Sequence, residues 1–416
     1  MKKKLAIVGT GISGMSAAYF LKDHYEITVF EKNNYIGGHT NTVTVDGVAI
    51  DTGFIVFNYS TYPNLVKLFN QIGIKDVDTD MSFAVRDDGE NLEYCGSGFN
   101  GLFGQRSNIL SKKFWSMLFE INRFNSEALE VLEDDKYALM TIGDYLGEKN
   151  YSPFMVDKYL VPCASAIWST SPKRMKEFPI KTLVRFFKNH GLLGLNGHHQ
   201  WKTVPGGSWK YRDKLISSFR DKIKVGEGVE ETFQKDGKHI IKTKLSEYEF
   251  DKVVFASHAD QTLRMIKDKT SIEEELLPLF PYEKNIAQLH TDLSVMPKRK
   301  RNWSAWNYFV TDDPEQKCVT TYHMNTLQPL GTDVNYFVTL NGENFVDSSK
   351  VIKRIEYDHP SFDFNAVKSQ ERLPLLNKQD NGRYFCGAWF RYGFHEDGLL
   401  SSINMCKEIL GVDEVL

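Results

Sequence analysis

The stretch from Leu5 to Gly38, LAIVGTGISGMSAAYFLKDHYEITVFEKNNYIGG, constrains this chain more than any other. Leu5–Val8 is apolar and partly β-branched, as a strand buried on both faces must be. Gly9, Gly11 and Gly14 follow as G-x-G-x-x-G, Ser16–Leu21 continues as an apolar helix, and Glu26–Phe30 reads as a second strand ending at Glu31. Strand, glycine turn, helix, strand and acid in that order form a βαβ unit for a dinucleotide. Gly9 permits the tight turn, Gly11 lets backbone approach a pyrophosphate, and Gly14 lets helix and strand touch. The helix N-terminus offers free N–H groups and a positive dipole end to the phosphates. Glu31 lies 17 residues after Gly14, where an acid takes a ribose 2′-hydroxyl and disfavours a 2′-phosphate, so NADP is not expected. A second G-x-G-x-x-G, at Gly96, Gly98 and Gly101, lacks the flanking strand, helix and acid and reads as a glycine-rich loop.

Charge and composition narrow the class. The net charge of −3 gives no bias toward nucleic acid, and 41% hydrophobic with 25% charged residues is ordinary for a globular protein. Aromatics, at 13%, are plentiful enough to wall a large apolar pocket. Cys95, Cys163, Cys318, Cys386 and Cys406 are odd in number and fit neither a disulfide framework nor a zinc site, so a reducing, cytoplasmic setting is expected. No run approaches the ~18 apolar residues of a membrane span, and no metal-ligand spacing stands out.

Along the chain, dinucleotide-type features recur near the start, around Pro205–Asp260, and at the end, with aromatic-rich regions between. The expected fold is therefore α/β: a Rossmann-type domain from residues 1–75, 200–265 and 370–416, interleaved with an α+β substrate domain from 76–199 and 266–369. The second domain is expected to hold a mixed or antiparallel sheet plus helices. Its strands are read at Met81–Tyr94, Asn285–Asp292, Trp303–Val310, Cys318–Met324 and Asn335–Leu340. Ser152–Val161 reads as a helix ended by Pro162. Ile180–Leu195 reads as a helix with Ile180, Leu183, Val184 and Phe187 on one face and Lys181, Arg185 and Lys188 on another. That pattern suits a core helix or peripheral membrane contact through 180–195.

Glu31 followed by Gly37-Gly38-His39 resembles the extended fingerprint of FAD-binding proteins in the flavin amine oxidase and phytoene desaturase superfamily, with His39 where the pattern usually has arginine. Cys386–Gly398, CGAWFRYGFHEDG, resembles that superfamily's C-terminal motif, in which the last helix points its N-terminus at the flavin. Further segments, SHADQTL from Ser257, LHTDL from Leu289, WSAWNY from Trp303 and AIWS from Ala166, resemble a branch of NAD/FAD-binding proteins associated with cyclopropane-fatty-acid synthases.

The resemblance implies FAD held by Gly9, Gly11, Ser13, Gly14, Glu31, Lys32, Gly38, His39, Thr40, Val229, Gly387, Gly393, Phe394, His395, Glu396 and Asp397. It also implies a methylated or unsaturated fatty acyl substrate, a desaturated product, and a functional link to a cyclopropane-fatty-acid synthase-like methyltransferase. An amine oxidase, a redox-neutral fatty acid isomerase and an accessory flavoprotein remain as alternatives. For proton transfer the candidates are His395, in the glycine-rich loop, and His258, which follows a buried strand; His290 and His323 rank behind them. For substrate contact they are Trp168, Trp389, Tyr392 and, as a carboxylate partner, Arg185.

Overall fold

The computed structural model describes residues 2–194, 199–311 and 317–416. The strands used below are β1 (Lys4–Val8), β2 (Glu26–Glu31), β3 (Phe83–Asp87), β4 (Leu92–Cys95), β5 (Ile223–Val225) and β6 (Lys252–Phe255). They continue with β7 (Tyr282–His290), β8 (Trp306–Val310), β9 (Val319–His323), β10 (Phe337–Leu340), β11 (Val351–Pro360) and β12 (Arg383–Phe385). The helices are α1 (Ile12–Leu21), α2 (Pro63–Gln71), α3 (Gly98–Leu102), α4 (Lys112–Glu127), α5 (Val161–Trp168), α6 (Ile180–Asn189) and α7 (His395–Leu410).

One sheet has the order β5-β2-β1-β6-β12 and is parallel throughout. Leu5, Ala6 and Ile7 of β1 are fully buried, as a central strand covered on both faces requires. Helices α1 and α7 share a core with this sheet through Leu5, Ile7, Met15, Ala18, Leu399 and Ile403. The carboxyl ends of β1, β2 and β6 lie side by side, so Gly9, Glu31 and Ala256 meet at the crevice where open α/β sheets bind ligands.

The second sheet has the order β11-β7-β10-β9-β8-β3-β4. It is antiparallel except where β8 runs parallel to β3. Helices α4 to α6 build the largest core cluster, with Phe114, Phe124, Tyr145, Leu183 and Phe187 at its centre. The parallel sheet draws strands from 4–31, 223–255 and 383–385 and the second sheet from 83–95 and 282–360, so the chain crosses repeatedly between them.

Three elements differ from the sequence expectations, and a fourth, α6, takes the core-helix alternative offered for it. The helix from Ser152 does not stop at Pro162: a π turn at Val156–Leu160 precedes α5, and Pro162 sits in the first turn of α5, where its missing N–H is tolerated. Gly98–Leu102 is a short helix rather than a loop. The long strand β11 was not expected at all. In α6, Ile180, Leu183, Val184 and Phe187 are buried in the core, and Lys181 pairs with Asp135 at 3.4 Å. Membrane contact through 180–195 therefore has no free apolar face on α6; residues 195–198 lie outside the described residues. Among the described residues no helix is long and apolar enough to cross a membrane.

Candidate active site

A cavity of about 800 Å³ opens at the carboxyl end of the parallel sheet and runs between the two sheets. Its first wall is the glycine turn. A Cβ at Gly14 would lie 2.0 Å from the Gly9 carbonyl oxygen, so only glycine lets α1 close on β1. A Cβ at Gly11 would meet nothing within 4 Å, and Gly11 lines the cavity, which leaves room for a pyrophosphate. Helix α1 has no side-chain cap and no acid in its first turn, so its N-terminal N–H groups remain for an anion.

Buried Glu31 ties the two glycine turns together. One carboxylate oxygen accepts from the Thr10 backbone N–H at 3.1 Å and from the Thr10 hydroxyl, and the other accepts from the Asn33 N–H at 2.8 Å. The Thr10 hydroxyl oxygen in turn accepts from the Gly37 N–H at 3.1 Å. Glu31 still lines the cavity with acceptor capacity to spare for a ribose hydroxyl. Lys32, Val229 and Ser13 line it as well, and Ser13 donates to the Gly398 carbonyl of α7 at 2.9 Å.

Gly38 and His39 line the middle of the cavity. The His39 ring stacks on Tyr357 of β11 with centroids 4.7 Å apart and lies 5.2 Å from His359, while its Nε2 is buried without a partner. An orphaned buried ring nitrogen facing a cavity is a place for a ligand. Burial holds His39 down to about 4, and His258, His359 and His395 to about 3. The cavity is thus walled by neutral imidazoles rather than by the arginine the superfamily pattern usually carries.

Both proposed proton-transfer histidines line the cavity, and both are held in place. His395 stacks on Phe54 at 3.9 Å, and its Nε2 meets the hydroxyls of Tyr211 at 3.0 Å and Thr40 at 3.1 Å. His258 stacks on Tyr282 at 4.2 Å and takes the Gln261 amide at 3.1 Å. His290 and His323 do not line the cavity; they bond Thr339, and Thr326 with Asn335.

At the C-terminal motif Gly387, Gly393, Phe394 and His395 line the cavity, but three expected cofactor contacts lie behind its wall. Thr40 is fully buried and supports His395 and Tyr211. The Glu396 carboxylate accepts from the backbone N–H groups of Asn64 and Leu65 and from the Asn64 amide, so it caps α2. Asp397 accepts from the N–H groups of Tyr392 and Phe394, shaping the turn into α7, and burial raises it to about 7. His395, the first residue of α7, lines the cavity, so the helix starts at its wall.

Where α5, α6 and the second sheet line it, the cavity has an apolar lobe. Met81, Phe83, Ile167, Trp168, Phe186, Trp306, Tyr322 and Leu340 line it, from β3, α5, α6 and β8 to β10 and the segment before β3. The charged lining residues are Glu31, Lys32, Glu230, Arg264, Glu356 and Asp358, all outside those elements. Trp168 and Trp306 each leave a buried indole N–H unpaired. Trp389 and Tyr392 line the cavity as expected; Trp389 also packs on Phe280 and Phe390.

Arg185 does not line the cavity: it sits on the exposed side of α6, while Phe186 and His190 face inward. Sequence reading missed His190. Its ring stacks on Phe186 at 3.8 Å and its Nδ1 donates to the Phe186 carbonyl at 2.9 Å, which leaves Nε2 as the acceptor in the neutral ring. Burial lowers it to about 4. Thr10, Tyr357 and His359 were missed too; a Thr between fingerprint glycines and a strand so far downstream carry no local signal of contact.

Comparison with known proteins agrees with this geometry. Residues 7–72 match the NAD(P)-binding Rossmann-like domain family. The 1-hydroxycarotenoid 3,4-desaturase of Flavobacterium sp. (strain P99-3) is 32% identical over 125 residues, 26% of this chain, and the match spans 25% of that protein's length. A double mutant of putrescine oxidase, redesigned in its cofactor binding, superposes with a TM-score of 0.71 at 12% identity over 99% of each chain. A conjugated-linoleic-acid (CLA)-producing fatty acid isomerase from P. acnes superposes with a TM-score of 0.68 at 12% identity, over 96% of this chain and 97% of that one. The fold is thus shared along the whole chain with these solved structures, and the local sequence likeness to the desaturase covers about a quarter of the chain and of that protein. The open glycine cradle, Glu31 and the unpartnered His39 nitrogen fit a dinucleotide such as FAD.

Proposed function

We propose that the protein takes a hydride from a C–H bond of an apolar substrate, a methylated or unsaturated fatty acyl chain, and releases a desaturated product. The observation that carries this reading is the apolar lobe lined by α5, α6 and the second sheet. It is continuous with the cofactor cradle, walled by aromatic and aliphatic side chains, and free of Asp, Glu, Lys and Arg from the elements that build it. A long hydrocarbon gains from such walls, whereas an ammonium group entering them would lose its hydration without a counter-charge. This favours an acyl substrate over an amine.

FAD, when bound, would supply the hydride-accepting chemistry, with oxygen or another acceptor as the final oxidant. The chain's own groups bind, orient and exclude water. The Gly9–Gly14 turn and the α1 N-terminus take the pyrophosphate, Glu31 the ribose, and Lys32 and Val229 the wall beside it. The N-terminus of α7, which begins at His395 in the cavity wall, would stabilise negative charge developing on a bound flavin. His395, fixed by Tyr211 and Thr40, positions that wall. Forming a C=C bond also releases a proton, and His190 Nε2, the acceptor-side nitrogen of a ring in the lobe, takes it. The branch resemblance extends the reading to a methyltransferase of the cyclopropane-fatty-acid synthase type as the supplier of methylated chains.

The test is product analysis by mass after incubation with methylated and unsaturated acyl lipids and with amines. The expected product is an acyl chain lighter by two hydrogens. Unchanged mass with a displaced double bond would make the reaction a redox-neutral isomerisation. Conversion of amines alone would make it an amine oxidation, and no conversion of either would leave an accessory flavoprotein.

A further inference from the structure

The segment after β4 carries an apolar surface that the cofactor site does not use. Phe99 is 80% exposed, Leu110 88% and Phe119 71%, with Ile109 and Trp115 also exposed. Scattered single apolar residues on a surface are ordinary, whereas these five form one patch. Phe99 stacks on Phe103, Phe103 packs on Trp115 at 5.2 Å, and Trp115 meets Phe119 at 6.5 Å. The Trp115 indole donates to the Ile109 carbonyl at 2.9 Å, which joins the loop to α4.

A basic depression of about 670 Å³ borders this patch, lined by Gly104, Gln105, Arg106, Ser107, Arg299, Lys300 and Arg301. The chain joins the two: Phe103, which packs on Phe99 and Trp115, is followed directly by Gly104 of this lining. Arg299 is neutralised by Glu93 at 3.0 Å and Lys113 by Glu90 at 3.6 Å. Arg106, Lys112, Lys300 and Arg301 are exposed and in no ion pair among the described residues.

We propose that this face docks on an anionic lipid bilayer, with Phe99, Leu110 and Phe119 entering the headgroup region and the four unpaired cations meeting lipid phosphates. Aromatic and aliphatic side chains beside unpaired cations are the combination that an acidic membrane surface rewards. A two-fold contact with a second copy of this chain would instead bring those cations toward one another, since the exposed acids nearby, Glu90 and Asp88, already pair with Lys113, Arg86 and Lys298. The hairpin β3–β4 that leads into the patch also carries Phe83 into the cavity wall, so a docked molecule would hold the apolar lobe close to its membrane-facing side.

The test is sedimentation of the full-length, FAD-loaded protein with lipid vesicles. One set is phosphatidylcholine alone and the other contains about one third phosphatidylglycerol. The expected result is partition onto the anionic vesicles that weakens as salt rises. The triple variants Phe99→Ser/Leu110→Ser/Phe119→Ser and Arg106→Ser/Lys300→Ser/Arg301→Ser are each expected to partition at least about tenfold less, with flavin absorbance and Tm unchanged. Wild-type protein that stays in the supernatant, or variants that sediment as well as wild type, would overturn the proposal. Self-association without lipid that the apolar variant abolishes would overturn it in favour of a second copy. Neither flavin reduction nor turnover enters the readout, so the result is separate from the substrate assignment.

Discussion

Glu31 is the residue on which the cofactor cradle turns. It links Thr10, Asn33 and, through Thr10, Gly37, so a change there removes an acceptor from the cavity wall and loosens both glycine turns. Glu31→Arg is expected to weaken FAD binding at least about tenfold in a fluorescence titration, because a cation replaces a buried acceptor; unchanged affinity would remove Glu31 from the site. His190→Phe keeps the lobe apolar but removes the proton acceptor. Turnover of an acyl substrate is expected to fall by about a hundredfold with flavin absorbance intact, the ordinary scale for losing a general base. The histidines also set acid stability. His39, His190, His239, His258, His290, His359 and His395 all sit at about 3 to 4 in the fold, chiefly through burial. Unfolded, each protonates near ~6.5. Between those values the unfolded chain binds more protons, so stability is full above ~6.5 and is lost as pH falls toward ~4. Asp51 and Asp397, raised to about 6 and about 7 by burial, act in the opposite sense but are fewer. Tm is therefore expected to fall on acidification through this window, and a Tm that rises there would contradict the assignment. The glycines and Glu31 were legible in sequence because their roles follow from spacing along one short stretch. The surroundings of His39 were not, because Tyr357 and His359 come from a strand more than three hundred residues away.

Helix α2 illustrates how an element can hide a residue's purpose. Its N-cap, Tyr62, offers no side-chain acceptor, and Glu396 from α7 takes the first-turn N–H groups of Asn64 and Leu65 instead. In sequence, an acid at the start of the last helix looked like a cofactor contact; in space it is a cap supplied from a distance. Glu396→Ala is expected to cost about 1–3 kcal/mol of stability in denaturant unfolding, with FAD affinity changed less than about twofold. A large loss of affinity at unchanged stability would return Glu396 to the cofactor site. Helix boundaries show the same limit. Pro162 looked like a terminator because proline lacks an N–H, yet a π turn ahead of it lets the helix continue and bring Ile167 and Trp168 to the cavity. The amphipathic pattern of α6 was read correctly, but whether its apolar face meets core or lipid depends on the neighbouring helices.

At the scale of the whole molecule, two sheets built from alternating parts of the chain flank a cavity that is polar at the glycine cradle and apolar where α5, α6 and the second sheet line it. The alternation was visible in sequence as dinucleotide-like segments separated by aromatic-rich ones. The lobe's shape was not, because β3, α5, α6 and β8 to β10 each contribute only one or a few lining residues. The central claim is that the flavin and an acyl chain share this cavity. Its most direct test is anaerobic mixing of the purified yellow protein with methylated or unsaturated acyl lipids, amines and NAD(P)H in turn, following the visible flavin absorbance. The account predicts bleaching by the acyl lipids and none by amines or NAD(P)H; bleaching by amines alone would contradict it.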